Sequence, residues 1–138
     1  MAYMFGTDEW AKAFMEEINK NEAYAKAAAD WEGDFYFVVK PKKFFDEQLI
    51  MYLDLWHGKC RNAEVVEDES KYSPAYKLIA NDDNWKAIID RKLDPIRGMM
   101  IRKLKLEGDM GKIMRYVKAA QELVNSATKV PTEFPPEK

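Results

Sequence analysis

Residues 75–120 read AYKLIANDDNWKAIIDRKLDPIRGMMIRKLKLEGDMGKIMRYVKAA. Ala75 to Ala80 has the composition of a short strand. Asn81-Asp82-Asp83 follows as a cap, and the helix behind it carries Trp85, Ile88 and Ile89. Asp94-Pro95 restarts the chain as an N-cap with proline at the first helical position. The short helix so opened holds Ile96, Met99 and Met100. From Arg102 to Leu106 the pattern alternates, with Leu104 and Leu106 on one face and Lys103 and Lys105 on the other. Gly108 makes a turn and Asp109 caps a last helix, whose apolar stripe is Met110, Ile113, Met114, Val117, Ala120 and Val124.

Upstream, the chain passes from helix to sheet. Thr7 caps a helix with Asp8 and Glu9 in its first turn, where the helix dipole favours negative charge. Trp10, Phe14 and Ile18 recur every four residues. Asn21 caps a second helix through Tyr24, Ala27, Ala28 and Trp31, which Gly33 stops. Phe35 to Val39 is aromatic and β-branched, a strand closed by Pro41. Leu49 to Trp56 alternates, with Leu49, Met51, Leu53 and Leu55 on one face. A turn at His57-Gly58-Lys59 returns Arg61 to Val66 as the second arm of a hairpin. Strands in neighbouring hairpins with helices at the ends predict an α+β fold, an antiparallel sheet covered by helices. One domain is expected over residues 1–126, with 127–138 as an irregular proline-rich tail.

Composition narrows the function. Apolar residues make up 47 % of the 138 and charged residues 33 %, a globular balance. A net charge of −2 argues against nucleic acid as a partner, since phosphate binding needs a basic surplus. The single cysteine, Cys60, allows no internal disulfide. The N-terminal stretch lacks the pattern of a signal peptide, and no apolar run reaches the ~20 residues of a membrane span. The expected compartment is cytoplasmic.

A search for chemistry yields little. His57 and Cys60, in HGKC, have the residue types of a nucleophile and its base or of two metal ligands. They straddle a hairpin turn, where side chains diverge, and no second pair completes a metal site. The plainer reading is a turn histidine and a strand cysteine. The acidic pairs fall in caps and loops. Asp54 sits in an otherwise apolar strand, either on its outer face or anchoring a ligand's polar group, with the outer face favoured. No phosphate-binding glycine loop and no nucleophile elbow is present. Catalytic residues, metal and cofactor are all read as none. The cations from Arg91 to Lys105 are a local concentration in an acidic chain. They suit a solvated face, an anionic head-group or transient contact with a membrane surface. The 8 methionines suit either core filling or a pliable apolar pocket.

The stretch 75–120 resembles the sterol carrier protein-2 family. The likeness lies in the combination of Trp85 behind an acidic cap, Leu93-Asp94-Pro95, Lys103-Leu104-Lys105-Leu106, and Gly108-Asp109-Met110 opening an apolar helix. A looser likeness runs from about Asp34. The chain departs where the family often has glycine, near Arg91 and near Arg102. Arginine tolerates a left-handed turn poorly, so different local geometry is expected there.

The resemblance implies a five-stranded, mostly antiparallel sheet covered by helices and enclosing an apolar cavity. It implies non-catalytic binding or transfer of a fatty acid, fatty acyl-CoA or sterol-like ligand. A methionine-lined, partly empty interior then becomes the expectation. On the sheet, Phe37, Leu53, Leu55 and Leu104 are the expected lining residues. On the helices they are Trp10, Phe14, Met99, Met100, Ile113, Met114 and Val117. Arg91, Arg97 and Arg102 are head-group candidates. Met114→Lys is accordingly expected to weaken ligand binding. The competing readings are an interaction module with a filled core, and an enzyme using His57 or Asp54 as base.

Overall fold

The computed structural model describes residues 2–138. The helices begin where capping side chains stand. In α1 (Asp8–Lys20) the Thr7 side chain accepts from the Trp10 N–H. In α2 (Glu22–Ala27) Asn21 does the same for Tyr24. α3 (Asp82–Ile89) starts without a side-chain cap. In α4 (Pro95–Met100) the Asp94 carboxylate accepts from the Arg97 N–H. In α5 (Met110–Arg115) Asp109 accepts from Lys112. α6 (Val117–Thr128) then follows.

The expected single C-terminal helix is therefore two. Tyr116, at φ −120° and ψ 34°, leaves helical geometry between them. Its ring packs edge-on against Trp31, with centroids 5.0 Å apart.

Beside a short β1 (Tyr3–Met4), the strands of the main sheet are β2 (Phe35–Lys40), β3 (Leu49–Trp56), β4 (Lys59–Val66), β5 (Tyr76–Asn81) and β6 (Lys105–Glu107). They lie in the order β4-β3-β2-β5-β6. β2 pairs with β5 in parallel, and every other pairing in this sheet is antiparallel. The fold is the mixed α+β, mostly antiparallel sheet expected. The β3–β4 turn has His57 at φ 49° and Gly58 at φ 79°, the type I′ combination that suits a two-residue hairpin. A Cβ on Gly58 would also lie 2.7 Å from the Ala25 carbonyl oxygen, so glycine is needed there for space as well.

Alternation assigns the two faces. Phe35, Phe37, Met51, Leu53 and Leu55 point to the helices and join Trp10, Phe14 and Ile18 in the main core. Tyr36, Val38, Ile50, Tyr52 and Val66 form a smaller cluster on the opposite face. There Tyr72 stacks on Tyr52 at 3.7 Å, and the Tyr36 hydroxyl donates to the Glu69 carbonyl. Both faces are thus covered, which explains why β2 reads as a continuous apolar run.

The segment from Ala127, expected to be irregular, is ordered against the other end of the chain. α6 runs to Thr128, and β7 (Thr132–Glu133) pairs in parallel with β1. Phe134 stacks on Phe5, and Trp10 Nε1 donates to Thr132 Oγ1 at 2.9 Å. Among the described residues, no helix is long and apolar enough to cross a membrane.

Arg91 and Arg102 correct the expectation of altered geometry. Their φ angles are 63° and 64°, so both keep the left-handed conformation that glycine would adopt freely. A side chain in that region costs roughly 1–2 kcal/mol, partly offset by the greater unfolded-state freedom of glycine. Arg102 is exposed. Arg102→Gly is therefore expected to raise the unfolding free energy by about 0.5–1 kcal/mol in urea titration. A loss of stability would show that the arginine side chain makes compensating contacts.

Candidate functional site

An apolar cavity of about 60 Å³ lies between the inner sheet face and the helices. Phe35 and Phe37 from β2, Leu55 from β3 and Leu78 from β5 form its sheet wall. Leu104 and Leu106 close the β6 side, as their shared face in the sequence suggests. Ile96 and Met99 of α4, and Ile113 of α5, form a second wall. Ala119, Ala120, Leu123 and Val124 of α6 form the third, and Tyr24, Trp31, Pro95 and Tyr116 also line the space.

Among the described residues, no charged side chain lines the cavity, and the side-chain hydroxyls in its wall are those of Tyr24 and Tyr116. Burial pushes the Tyr24 phenol well above its ordinary range, so it stays a hydrogen-bond donor at any physiological pH. Trp31 Nε1 is committed to the Gly33 carbonyl at 3.0 Å.

The residues expected to line the site divide into four groups. Phe37, Leu55, Met99, Leu104 and Ile113 are in the wall. Trp10, Phe14 and Leu53 are buried, but they belong to the solid core outside the cavity. Val117 is half-buried and also outside it. Met100 and Met114 require correction, because they are 78 % and 49 % exposed. Each follows directly on a wall residue, Met99 or Ile113, and the helical turn of about 100° per residue carries it outward. The methionine-lined interior is corrected with them, since Met99 is the one methionine among the described residues of a largely aromatic and aliphatic wall. Sequence reasoning missed Tyr24, Trp31, Phe35 and the alanines of α6. The small residues at 119 and 120, between larger apolar residues of an amphipathic helix, were the available signal.

Arg91, Arg97 and Arg102 are all exposed. Arg91 borders a polar groove with Lys118 and Glu122, and this groove shares Pro95 and Val124 with the cavity. Lys118 and Glu122 already pair with each other at 3.2 Å.

The polar residues weighed for chemistry lie elsewhere. His57 is exposed, with Nε2 2.7 Å from Glu32 Oε2, and its ring stacks on Trp56. Cys60 is buried, and burial pushes its thiol up to about 12, far from a reactive thiolate. Asp54 holds Arg61 through both carboxylate oxygens, each contact at 3.1 Å. Among the described residues, no three His, Cys, Asp or Glu side chains gather as a metal site.

A family model described as the SCP-2 sterol transfer family matches residues 11–121. The chain belongs to the SCP-2 sterol transfer family. Its fold is very close to a crystal structure of sterol carrier protein 2, with 35 % identity and a TM-score of 0.84. That match covers 91 % of this chain and 98 % of the other. A solution structure from Thermus thermophilus, of a conserved hypothetical protein described as possibly a sterol carrier protein, has 34 % identity and a TM-score of 0.84. It covers 96 % of this chain and 94 % of its own. The sterol carrier protein domain 2 of Helicoverpa armigera shares the fold at 16 % identity and a TM-score of 0.61, over 91 % of this chain and 95 % of that one. No curated protein matches. Membership in the SCP-2 family brings lipid binding or transfer as a general activity and indicates no enzymatic class.

Proposed function

We propose that this SCP-2 family chain binds a single lipid chain, as a fatty acid, a fatty acyl-CoA or a sterol-like molecule, and carries it without catalysing a reaction. The observation that carries this reading is the apolar cavity between sheet and helices, with no charged lining among the described residues. An apolar wall of this kind gains affinity from buried hydrocarbon, roughly 0.8 kcal/mol per CH₂, and needs few polar contacts.

The volume refines the ligand class. Pockets for drug-sized ligands run to about 300–1,000 Å³, well above the 60 Å³ present. A ligand must therefore push wall elements apart as it enters. The short helices α4 and α5, each of 6 residues, have few backbone bonds of their own to hold them in place. A flexible acyl chain threads such a space more readily than a rigid ring system, so fatty acids and acyl-CoA are favoured over sterols. An anionic head-group would then meet Arg91, Arg97 or Arg102. Arg91 is the best placed of these, in the groove that adjoins the cavity.

The same small volume favours a second reading, an interaction module whose core is simply full. Native mass spectrometry of the purified protein separates the two. Near-stoichiometric fatty acid, released on denaturing extraction, is the expected result. An apo mass with no shift on adding palmitate, palmitoyl-CoA or a sterol would sink the carrier reading.

A further inference from the structure

We propose that Trp31 is the stop against which the far end of a bound acyl chain rests, and that it thereby sets the longest chain the cavity takes in full. The proposal rests on the carrier reading and names the residue that makes that binding length-selective.

The cavity has two unlike ends. Phe35 and Tyr76 begin the parallel strands β2 and β5 and are register partners, so both stand at one edge of the sheet. Their rings stack with centroids 5.1 Å apart. Trp31 joins them, 6.1 Å from Phe35 and 5.3 Å from Tyr76, and Tyr116, just before α6, meets it edge-on. The other end lies two turns along α6, about 12 Å from Tyr116 at the helical rise. There Val124 and Pro95 belong both to the cavity and to the polar groove that Arg91 borders. A charged or polar head-group stays hydrated at the groove, because burying it in an apolar wall is costly. The methyl end of the chain therefore points toward Trp31.

That aromatic end is braced. Trp31 Nε1 donates to the Gly33 carbonyl at 3.0 Å, and turning the indole would break this bond. Lys112 Nζ lies 4.8 Å from the Trp31 ring centroid and donates to the Glu32 carbonyl at 2.8 Å. Lys112 is not part of the cavity wall, so its ammonium backs the ring from outside. Packing behind the ring leaves no slack. A Cβ on Gly33 would lie 2.9 Å from the Tyr76 ring and 3.2 Å from Trp31, and one on Gly108 would lie 2.4 Å from Tyr76. The α4 wall is the yielding one, a helix of 6 residues whose Met99 is half-buried. A chain that widens the space moves α4 and meets a fixed indole. Carbons beyond that stop fold back or stay outside, and they bury no further area.

The test is a series of saturated fatty acids of increasing length, each competed against a fluorescent fatty acid on the full chain. Wild-type affinity should rise about fourfold per added methylene up to one length and then level off. Trp31→Leu removes roughly six heavy atoms from the wall, and a space of this kind closes only in part, so levelling should move to chains about two to four carbons longer. Tyr116→Leu, at a half-buried position, keeps the indole but removes its edge-on partner, and should move levelling the same way by about one or two carbons. Phe5→Leu is the control. It also removes a buried ring, but in the solid core against Trp10 and Phe134, so it should lower the thermal midpoint and leave the levelling length unchanged. An unmoved levelling length in both wall variants, a shift shared by Phe5→Leu, or a wild-type series that never levels would each overturn the proposal. Failure of the wild type to bind any chain of the series would overturn the carrier reading itself, and the stop with it.

Discussion

Asp82→Asn is expected to lower the unfolding free energy by about 3 kcal/mol. Asp82 is fully buried at the start of α3, and its carboxylate accepts the backbone N–H groups of Lys42, Lys43, Phe44 and Phe45 at 2.9–3.0 Å. These bonds gather the crossover between β2 and β3 onto α3 and hold Phe45 against the core. An asparagine of the same shape keeps at most one acceptor oxygen and turns an N–H₂ toward the remaining donors. It also removes the charge that strengthens all four bonds.

The pH dependence has a definite sign. Burial alone would raise the Asp82 pKa, but the four N–H donors outweigh it and hold the carboxyl below its ordinary value. A depressed native pKa means stability that is present above the unfolded pKa and lost as pH falls through the native one. Urea titrations of both proteins at neutral pH, and again in acid, would measure this. The neighbouring Asp83→Asn is the control. Asp83 pairs with Lys42 at 3.4 Å near the surface, and its replacement is expected to cost under about 1 kcal/mol. Equal losses at the two positions would remove Asp82 from its organising role.

Met99→Lys is expected to weaken fatty-acid binding about thirtyfold, read by displacement of a fluorescent fatty acid in vesicle-free buffer. Met99 supplies part of the α4 wall. An ammonium there must stay hydrated, which denies the ligand contact with two or three methylenes. At about 0.8 kcal/mol each, that loss is near 2 kcal/mol, or about thirtyfold in Kd. Met99 is only half-buried, so the long lysine stem can bring its charge to solvent and the protein should still fold. Met114→Lys, at an exposed position, should change affinity by less than about twofold, since it touches no wall. Equal effects at the two positions would place the binding site elsewhere.

The contrast between those methionines shows how far the sequence could be read. Period-two alternation carried the faces of β3 correctly, because strand side chains alternate strictly, and so Leu53 and Leu55 turned inward as expected. The caps at Thr7, Asn21, Asp94 and Asp109 were legible because each is a local interaction within three residues. Met100 and Met114 were misplaced because apolar character alone does not fix direction on a helix of two turns or fewer. Such a helix has too few residues to define a stripe. The break at Tyr116 also reset the helical phase, so a stripe drawn from Met110 to Val124 crossed two axes.

Asp82 looked like one of three capping candidates. Its partners lie 37 to 40 positions away, and no local pattern announces them. The pairing of β1 with β7 was hidden for the same reason. The cavity's size was illegible for a different one. It is the small difference between the volume the backbone encloses and the volume the side chains fill, and composition fixes neither term.

The junction of the two chain ends bears on the order in which the protein assembles. Trp10 and Thr132, joined by a hydrogen bond, are 122 positions apart. The entropy of closing a loop grows with its length, so the β1–β7 junction carries a larger closure cost than the local β3–β4 hairpin. The hairpin and helices can form early, while the junction gains its reward only once the intervening chain is in place. It is thus the natural late step of folding and the first contact to fray. Trp10, packed edge-on against Phe5 at 4.9 Å, sits at that seam as a built-in fluorescent reporter of its closure.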